Sequence, residues 1–163
     1  MQKNAAAIRK VFQTVSLGAP EKAVGFVLWR VVHRYMREVD RALIPLDLTH
    51  LQFMTLALAA WLGKNGDSVT QSDVAKHGEM HPMQVSLMLK ALEKKGLILR
   101  TRNDADVRAK YLELTSEGVV VLRRALPPVV EVQKKLFGSL AHVEGDFLKA
   151  LLRLEAASGP EPV

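Results

Sequence analysis

The chain has 163 residues, enough for one core domain with a flanking dimerisation segment, and its 48% hydrophobic and 25% charged residues are typical of a globular protein. The absence of cysteine excludes disulfide bonds, thiolate metal ligands and cysteine redox switches. The net charge of +6 indicates a polyanionic partner but does not identify it.

The basic charge is not concentrated in one functional segment. Residues 1–45 carry 8 basic and 3 acidic side chains, whereas residues 70–114 carry 8 and 6. No apolar run approaches the roughly 20 residues that span a bilayer, and residues 1–9 lack the features of a signal peptide. We therefore expect a cytoplasmic protein with no membrane partner.

The N-terminal part predicts a short helix and a long one. Apolar spacing favours an amphipathic helix over residues 4–16, although a mobile N-terminal extension over residues 1–20 is an equal alternative. The long helix of residues 21–43 is apolar on two sides, which is typical of packing against both its own domain and a partner subunit. We assign residues 21–45 to dimerisation and interpret the basic side of this helix as solvated surface. That side carries Arg30, Arg34, Arg37 and Arg41.

A third helix begins with a recognisable cap. Thr49 and Gln52 have the spacing of a capping box, and apolar residues continue as far as Gly63. We expect Trp61 to anchor this helix in the core.

The functional interpretation depends on the pattern that follows. It predicts a short helix from Thr70 to His77, a turn, a second helix from Pro82 to Lys95, and two strands over residues 97–102 and 108–114. A polar, turn-prone tip joins the strands. This order is that of a winged helix-turn-helix, a mainly α fold with a small two-stranded β-wing, which places side chains against duplex DNA.

The second helix of this unit carries the predicted recognition face. Val85, Leu89 and Leu92 form a buried stripe with Met88, which leaves polar residues such as Gln84 on the outer faces. Gln bonds adenine bidentately, and Ser bonds several bases or a phosphate. We assign residues 46–115 to a DNA-binding domain. The predicted contacts to double-stranded DNA are Thr70, Gln71, Ser72, His81, Met83, Gln84, Ser86, Leu87, Lys90, Arg100, Arg102, Asp106, Arg108 and Lys110.

The ribbon is predicted to have one apolar face, with basic residues available to phosphates. Arg108 follows the tip, where a guanidinium can enter a narrow minor groove. A charge-assisted bond from Asp106 would hold that side chain. The apolar face is predicted to consist of Leu97, Leu99, Leu112 and Leu114.

The C-terminal part predicts two dimerisation helices over residues 116–155 and a flexible tail over residues 156–163. The first helix covers residues 119–137, but the prolines at 127 and 128 remove two backbone donors and predict a kink or break. The second covers residues 140–154. Both helices are too short and too apolar to be stable alone, so we expect them to pack against a second copy in a homodimer.

Several motifs occur in a fixed order along the chain. They are Leu48-Thr49-His50-Leu51-Gln52-Phe53, Val74-Ala75, the run from Val85 to Gly96-Leu97-Ile98, Asp106-Val107-Arg108 and, after five intervening residues, Leu114-Thr115-Ser116-Glu117-Gly118. Over residues 25–154 this order resembles the MarR family of transcriptional regulators. The resemblance implies a homodimeric repressor on a pseudo-palindromic operator, with the helix from Pro82 in the major groove and Arg108 in the minor groove. It also implies a small aromatic or anionic effector, for which His33 and Arg37 are the candidate ligands; ordinary surface or interface polarity is the alternative interpretation of these two residues.

Three features depart from the family pattern. Leu87 stands where many relatives carry a polar contact, which favours an apolar contact such as one with a thymine methyl group. Gly78 and Glu79 predict a loose, acidic turn. The proline pair predicts altered dimer helices, and the residues before Gly25 have no counterpart, which suggests an added dimer clasp.

Other functional classes have weaker support. His77 and His81 have the spacing of a shared zinc site, but Gly78 and Pro82 favour a turn, so we predict no metal site. No phosphate-binding glycine loop, His-Glu-x-x-His motif or convincing carboxylate pair indicates an enzyme, and no cofactor is predicted. The alternatives are a winged-helix protein-interaction module and a non-specific DNA-binding protein without an effector.

Overall fold

The computed structural model describes residues 4–14, 16, 18–102 and 110–158. The predicted wing tip with Asp106 and Arg108 lies outside the described residues, as do the side chains of Arg102 and Lys110. The chain divides into two compact units between Glu38 and Val39.

The first unit contains helix α1 (Ala5–Thr14) and most of helix α2 (Val24–Leu43). The predicted N-terminal helix is therefore confirmed, and the apolar side chains on it are about half exposed. α2 begins later than predicted, because a 3-10 turn over Pro20–Lys22 ends in an extended Ala23.

None of the described helices is by itself long and apolar enough to cross a membrane. One pair, residues 24–46 with residues 50–63, meets the length and composition requirement when taken together, but the two are bent by 79°.

The second unit is built around helix α3 (His50–Gly63). The Thr49 hydroxyl accepts the Gln52 backbone N–H at 3.2 Å, and the Gln52 side chain accepts the Thr49 N–H at 3.3 Å. This reciprocal pair confirms the predicted capping box. The fully buried apolar side chains of the unit include Leu43, Leu56, Val74, Val85, Leu89, Leu92, Ile98 and Ala125.

Trp61 does not belong to this core. Its side chain is 65% exposed, and the Lys64 ammonium lies 3.0 Å from the centroid of its ring. Phe53, Leu56 and Ala59 occupy the inward side of α3, and Trp61 lies on the opposite side with Met54. The prediction that Trp61 anchors the core is therefore wrong.

The helix-turn-helix is formed by α4 (Gln71–His77) and α5 (Pro82–Lys94), each within one residue of the prediction. The predicted two-stranded ribbon belongs to a three-stranded antiparallel sheet. Its strands are β1 (Val69–Thr70), β2 (Ile98–Arg102) and β3 (Lys110–Leu114), and they lie in the order β1-β3-β2. β1 was not predicted, because two residues are too few to show an alternating pattern.

The inward face of β2 differs from the prediction by one residue. Ile98 is fully buried, whereas Leu99 is 53% exposed and pairs with Glu113. Since side chains alternate along a strand, Arg100 lies on the same face as Ile98, opposite Leu112. Placing Leu99 on the apolar face was therefore wrong.

Helix α6 (Ser116–Phe137) continues through both prolines, so the predicted break is wrong, whereas the alternative of a kink stays a prediction. Val121, Ala125 and Val129 are buried at four-residue intervals along its inner side. Their burial stabilises the helix on both sides of the prolines and offsets the lost backbone bonds.

Helix α7 (Asp146–Ser158) begins and ends later than predicted. A 3-10 turn over Gly138–Ala141 follows α6, and the Gly145 N–H then closes a turn on the His142 carbonyl at 2.9 Å. These turns occupy the start of the predicted helix, and α7 extends into the segment that was predicted to be a flexible tail.

Candidate nucleic-acid interface

A reciprocal cap fixes the N-terminus of α4. Asp73 Oδ2 accepts the Thr70 hydroxyl at 2.7 Å and the Thr70 N–H at 2.8 Å, and Thr70 Oγ1 accepts the Asp73 N–H at 3.2 Å. The side-chain bond from Thr70, followed by the backbone bond, lowers the pKa of Asp73. The Thr70 hydroxyl, a predicted DNA contact, is thus engaged in the cap.

The turn between α4 and α5 is tightly packed. The Gly78 N–H donates to the Val74 carbonyl at 3.0 Å. A Cβ at Gly78 would lie 2.6 Å from Met80 Cε and 3.0 Å from Leu58 Cδ2, so a larger residue would displace both side chains. The prediction of a loose turn is therefore wrong, although Glu79 does adopt a left-handed φ of 47°.

Two side-chain hydrogen bonds fix the start of α5, one from α4 and one from the residue before the helix. The Gln71 side-chain amide donates to the Pro82 carbonyl at 3.4 Å, which links α4 to the first turn of α5. The His81 side chain caps the helix, its Nδ1 accepting the Met83 N–H at 3.2 Å. Pro82 at the first helical position has no N–H that would need a partner.

The outer face of α5 combines apolar and polar side chains. Met83 is 67% exposed and Leu87 is 56% exposed. Gln84 and Lys90 are exposed beside them, and Ser86 is half-buried. These predicted contacts lie on the outer side of α5, and His81 at its start and Ser72 of α4 are also exposed.

Arg100 has a partner inside the unit. Its Nε donates to Glu93 Oε2 at 2.8 Å, a second guanidinium nitrogen bonds the same oxygen, and the Arg100 side chain is only 12% exposed. The pair joins the end of α5 to β2. The two-residue alternation of side chains along a strand is the sequence signal that places Arg100 on the same inward face as Ile98.

Lys95 makes a second link at the end of α5, which the sequence analysis missed. Its ammonium lies 3.1 Å from Asp47 Oδ2, donates to Gln52 Oε1 at 3.0 Å and also bonds the Asp47 carbonyl. The link spans 48 residues of sequence, so no local pattern indicates it.

The start of α6 packs directly on the junction of α5 and β2. The Thr115 hydroxyl donates to the Gly96 carbonyl at 2.7 Å, and the Thr115 N–H donates to the Leu97 carbonyl at 3.1 Å. A Cβ on Gly118 would lie 2.0 Å from the Leu97 carbonyl oxygen. Only glycine allows this approach, which explains the Thr-x-x-Gly spacing in physical terms.

His33 and Arg37, the predicted effector ligands, line a surface groove of about 750 Å³ on α2. The His33 ring lies 4.2 Å from the Trp29 ring, and its Nδ1 bonds the Trp29 carbonyl at 2.8 Å. Arg30 and Arg34 line the same groove. It therefore combines aromatic surface with three guanidinium groups.

Across the described part of the chain, no three His, Asp or Glu side chains cluster as metal ligands would. His77 Nδ1 bonds the Asp73 carbonyl at 2.9 Å within α4, whereas His81 caps α5. The two rings thus have separate roles at the two ends of the turn.

Two sequence comparisons identify the family. The MarR family model matches residues 48–110, which contain α3, the helix-turn-helix and β2. YdcH of Bacillus subtilis (strain 168), an HTH-type transcriptional regulator of uncharacterised role, is 36% identical over 135 residues, which are 83% of this chain and 91% of YdcH. The chain belongs to the MarR family.

Solved MarR-like structures share the fold. MepR of S. aureus, in complex with DNA, aligns with a TM-score of 0.73 and 27% identity, covering 83% of this chain and 98% of MepR. CouR of Rhodococcus jostii RHA1, bound to p-coumaroyl-CoA, aligns with a TM-score of 0.70 and 27% identity, covering 89% and 98%.

Membership of the MarR family confirms the predicted fold class and the prediction of a DNA-binding transcriptional regulator rather than an enzyme. The individual DNA contacts, the homodimer and the effector stay predictions at this point.

Proposed function

We propose that this MarR-family regulator is a homodimeric, ligand-responsive repressor that binds a pseudo-palindromic operator in the cytoplasm. α5 lies in the major groove in this proposal, and Arg108 enters the minor groove. The observation that carries the proposal is an exposed, partly polar face on α5, a helix whose two ends are both anchored. Such a helix meets DNA in a fixed orientation, which sequence discrimination requires.

Arg100 is left out of the proposed contacts, because Glu93 holds its guanidinium and little of the side chain is exposed. Lys90, exposed on the outer side of α5, remains a candidate for phosphate. Arg102, Arg108 and Lys110 are retained because of their positions in the wing sequence.

The proposed dimer uses the two C-terminal helices. α6 exposes apolar residues such as Val119 and Leu126, and α7 exposes Leu151 and Leu152. The main packing partner of α7 among the described elements is the 3-10 turn before it. Burial of these faces against a second copy would place two α5 helices about 10–10.5 base pairs apart on one side of the duplex.

The proposed effector site is the groove on α2. Trp29 and His33 offer two aromatic rings in contact, tilted by 41° with centroids 4.2 Å apart. Arg37 offers a guanidinium for a carboxylate or phosphate. CouR provides a family example of an aromatic, anionic ligand. We therefore propose an effector that carries both an aromatic ring and a negative charge.

The testing experiment is binding of the purified protein to its own upstream DNA, with random duplex as competitor, across a salt series. We expect a preference of about a thousandfold or more and a steep loss of affinity with salt. Arg108→Ala should weaken binding and reduce the salt slope. Arg153→Ala, which removes an equal charge from an exposed polar position of α7, is the matched control. Addition of p-coumaroyl-CoA or benzoate then tests for release by an aromatic anion.

Each alternative gives a different result. A steep salt slope with no sequence preference would identify a generic DNA-binding protein and overturn the operator proposal. Absence of DNA binding would favour a protein-interaction module. An Arg108→Ala variant with unchanged affinity and slope would remove Arg108 from the minor groove.

A further inference from the structure

The side of α5 that faces directly away from the core has an unusual composition. Met83, Leu87, Lys90 and Lys94 recur at spacings of four, three and four residues, so they form one stripe along the helix. The buried residues Val85, Leu89 and Leu92 lie on the opposite side. The outward stripe is therefore apolar in the N-terminal half of α5 and basic in the C-terminal half.

The two apolar side chains of this stripe are exposed and do not belong to the buried core. Met83 and Leu87 are 67% and 56% exposed, and they lie one turn apart. Together they present an apolar patch at the N-terminal half of the helix, which is the part of a recognition helix that contacts base edges. Gln84 and the half-buried Ser86 flank this patch on either side.

We infer that Met83 and Leu87 recognise the C5 methyl groups of thymines in the major groove, and that 5-methylcytosine satisfies the same contact. This inference rests on the proposed function, because it requires α5 to lie in the major groove. The thymine methyl is the apolar group that standard bases present in that groove. Methylated cytosine carries the same group on the same ring atom.

The neighbouring side chains fit this assignment. Gln84, next to Met83, can bond the adenine of a T·A pair whose methyl group contacts Met83 or Leu87. Lys90 and Lys94 continue the stripe and supply positive charge for the phosphates on the groove wall. Duplex DNA supplies both an apolar group in the groove and phosphates along its wall, which match the apolar and the basic halves of the stripe.

The inference is tested on duplexes that the protein itself selects from a randomised library. In the enriched sequence, each thymine is replaced in turn by deoxyuridine, which removes only the methyl group. We expect about a fourfold loss of affinity for each half-site at the thymines that contact Met83 or Leu87, from the transfer free energy of one methyl group. At those positions, cytosine should bind less well than 5-methylcytosine by a similar factor.

Protein variants assign the contacts. In Leu87→Ala, replacing the thymine that contacts residue 87 by deoxyuridine should no longer lower the affinity, whereas the same replacement at the thymine that contacts Met83 should still do so. Met83→Ala should give the converse result. Leu99→Ala is the matched control, because it removes a leucine of similar exposure that lies on β2 rather than on α5. Lys90→Ala should weaken binding to thymine and deoxyuridine duplexes by the same factor.

The outcomes separate this inference from the function on which it rests. A selected sequence that binds tightly, with deoxyuridine equal to thymine at every position, would overturn the methyl contact and leave the operator-binding function intact. If removal of the thymine methyl group still lowers the affinity in both variants, the loss arises from DNA shape rather than from contact with Met83 or Leu87. That result would also overturn the inference. Failure to select any sequence would overturn the proposed function itself.

Discussion

Arg100 and Lys90 show how neighbouring groups determine the role of a basic residue in the recognition unit. Glu93 holds the Arg100 guanidinium between α5 and β2, and water reaches little of that side chain. Lys90 stands on the exposed outer side of α5. Loss of the Arg100 charge would leave Glu93 without its guanidinium partner, whereas the Lys90 ammonium is available to a phosphate.

The sequence predicts some of these residue-level roles and misses others for a physical reason. Thr49, Gln52, Thr70 and Asp73 act within three residues of their partners, so spacing alone predicted both caps. The contact of Lys95 with Asp47 depends on the path of the chain through space. The exposure of Trp61 also depends on the path of the chain. An indole ring favours burial, but Trp61 lies on the side of α3 that faces away from the core.

At the residue scale, we expect Asp73→Ala to lower the free energy of unfolding by about 0.5–2 kcal/mol at pH 7, because it removes the reciprocal cap of α4. The bonds from Thr70 hold the pKa of Asp73 below its usual value. A lowered pKa in the folded state contributes stability above the unfolded pKa of about 3.9, and that contribution is lost as pH falls through the folded pKa.

Urea denaturation of both proteins between pH 7 and pH 3 measures this effect. The difference between wild type and Asp73→Ala should shrink toward the acid end of the range. Asp67→Ala removes an exposed loop aspartate and serves as the control. A difference that stays constant with pH would show that the carboxylate charge does not contribute to the cap.

At the element scale, helices with side-chain signals at their ends were predicted well, and elements governed by packing were not. α3, α4 and α5 begin at residues whose side chains bond the first turn. α6 contradicts the local rule for proline, because Val121, Ala125 and Val129 are buried along one side of it. The gain from burial was not visible in the sequence around residues 127–128.

We expect Pro127→Ala to raise the free energy of unfolding by about 1–3 kcal/mol, because it restores a helical N–H at an exposed position of α6 and removes the clash of the ring with the preceding turn. Thermal denaturation measures the change. Pro45→Ala, in the 3-10 turn after α2, is the control for loss of a proline outside an α-helix. Lower stability of Pro127→Ala would mean that the proline shapes a bend on which the packing of α6 depends.

At the scale of the whole molecule, α6 and α7 have exposed apolar faces that no described residue of the same chain buries. The exposed residues of α7 include Phe147, Leu151 and Leu152, and those of α6 include Leu126 and Val130. Apolar area of this extent on adjacent helices is typical of an interface between subunits. Two copies of the chain would also supply the two recognition helices that a pseudo-palindromic operator requires.

We expect Leu152→Glu to shift the protein from dimer to monomer, because a carboxylate buried against a second copy loses its hydration without gaining a partner. Light scattering during size-exclusion chromatography measures the mass. Affinity for the selected operator should fall about a hundredfold or more, since the second half-site no longer binds as part of the same molecule. Arg153→Glu places the same carboxylate at the adjacent exposed polar position of α7 and should keep the dimer mass. A dimeric Leu152→Glu protein with full operator affinity would exclude this face of α7 from the interface and shift the assignment to α6 and the helices before residue 44.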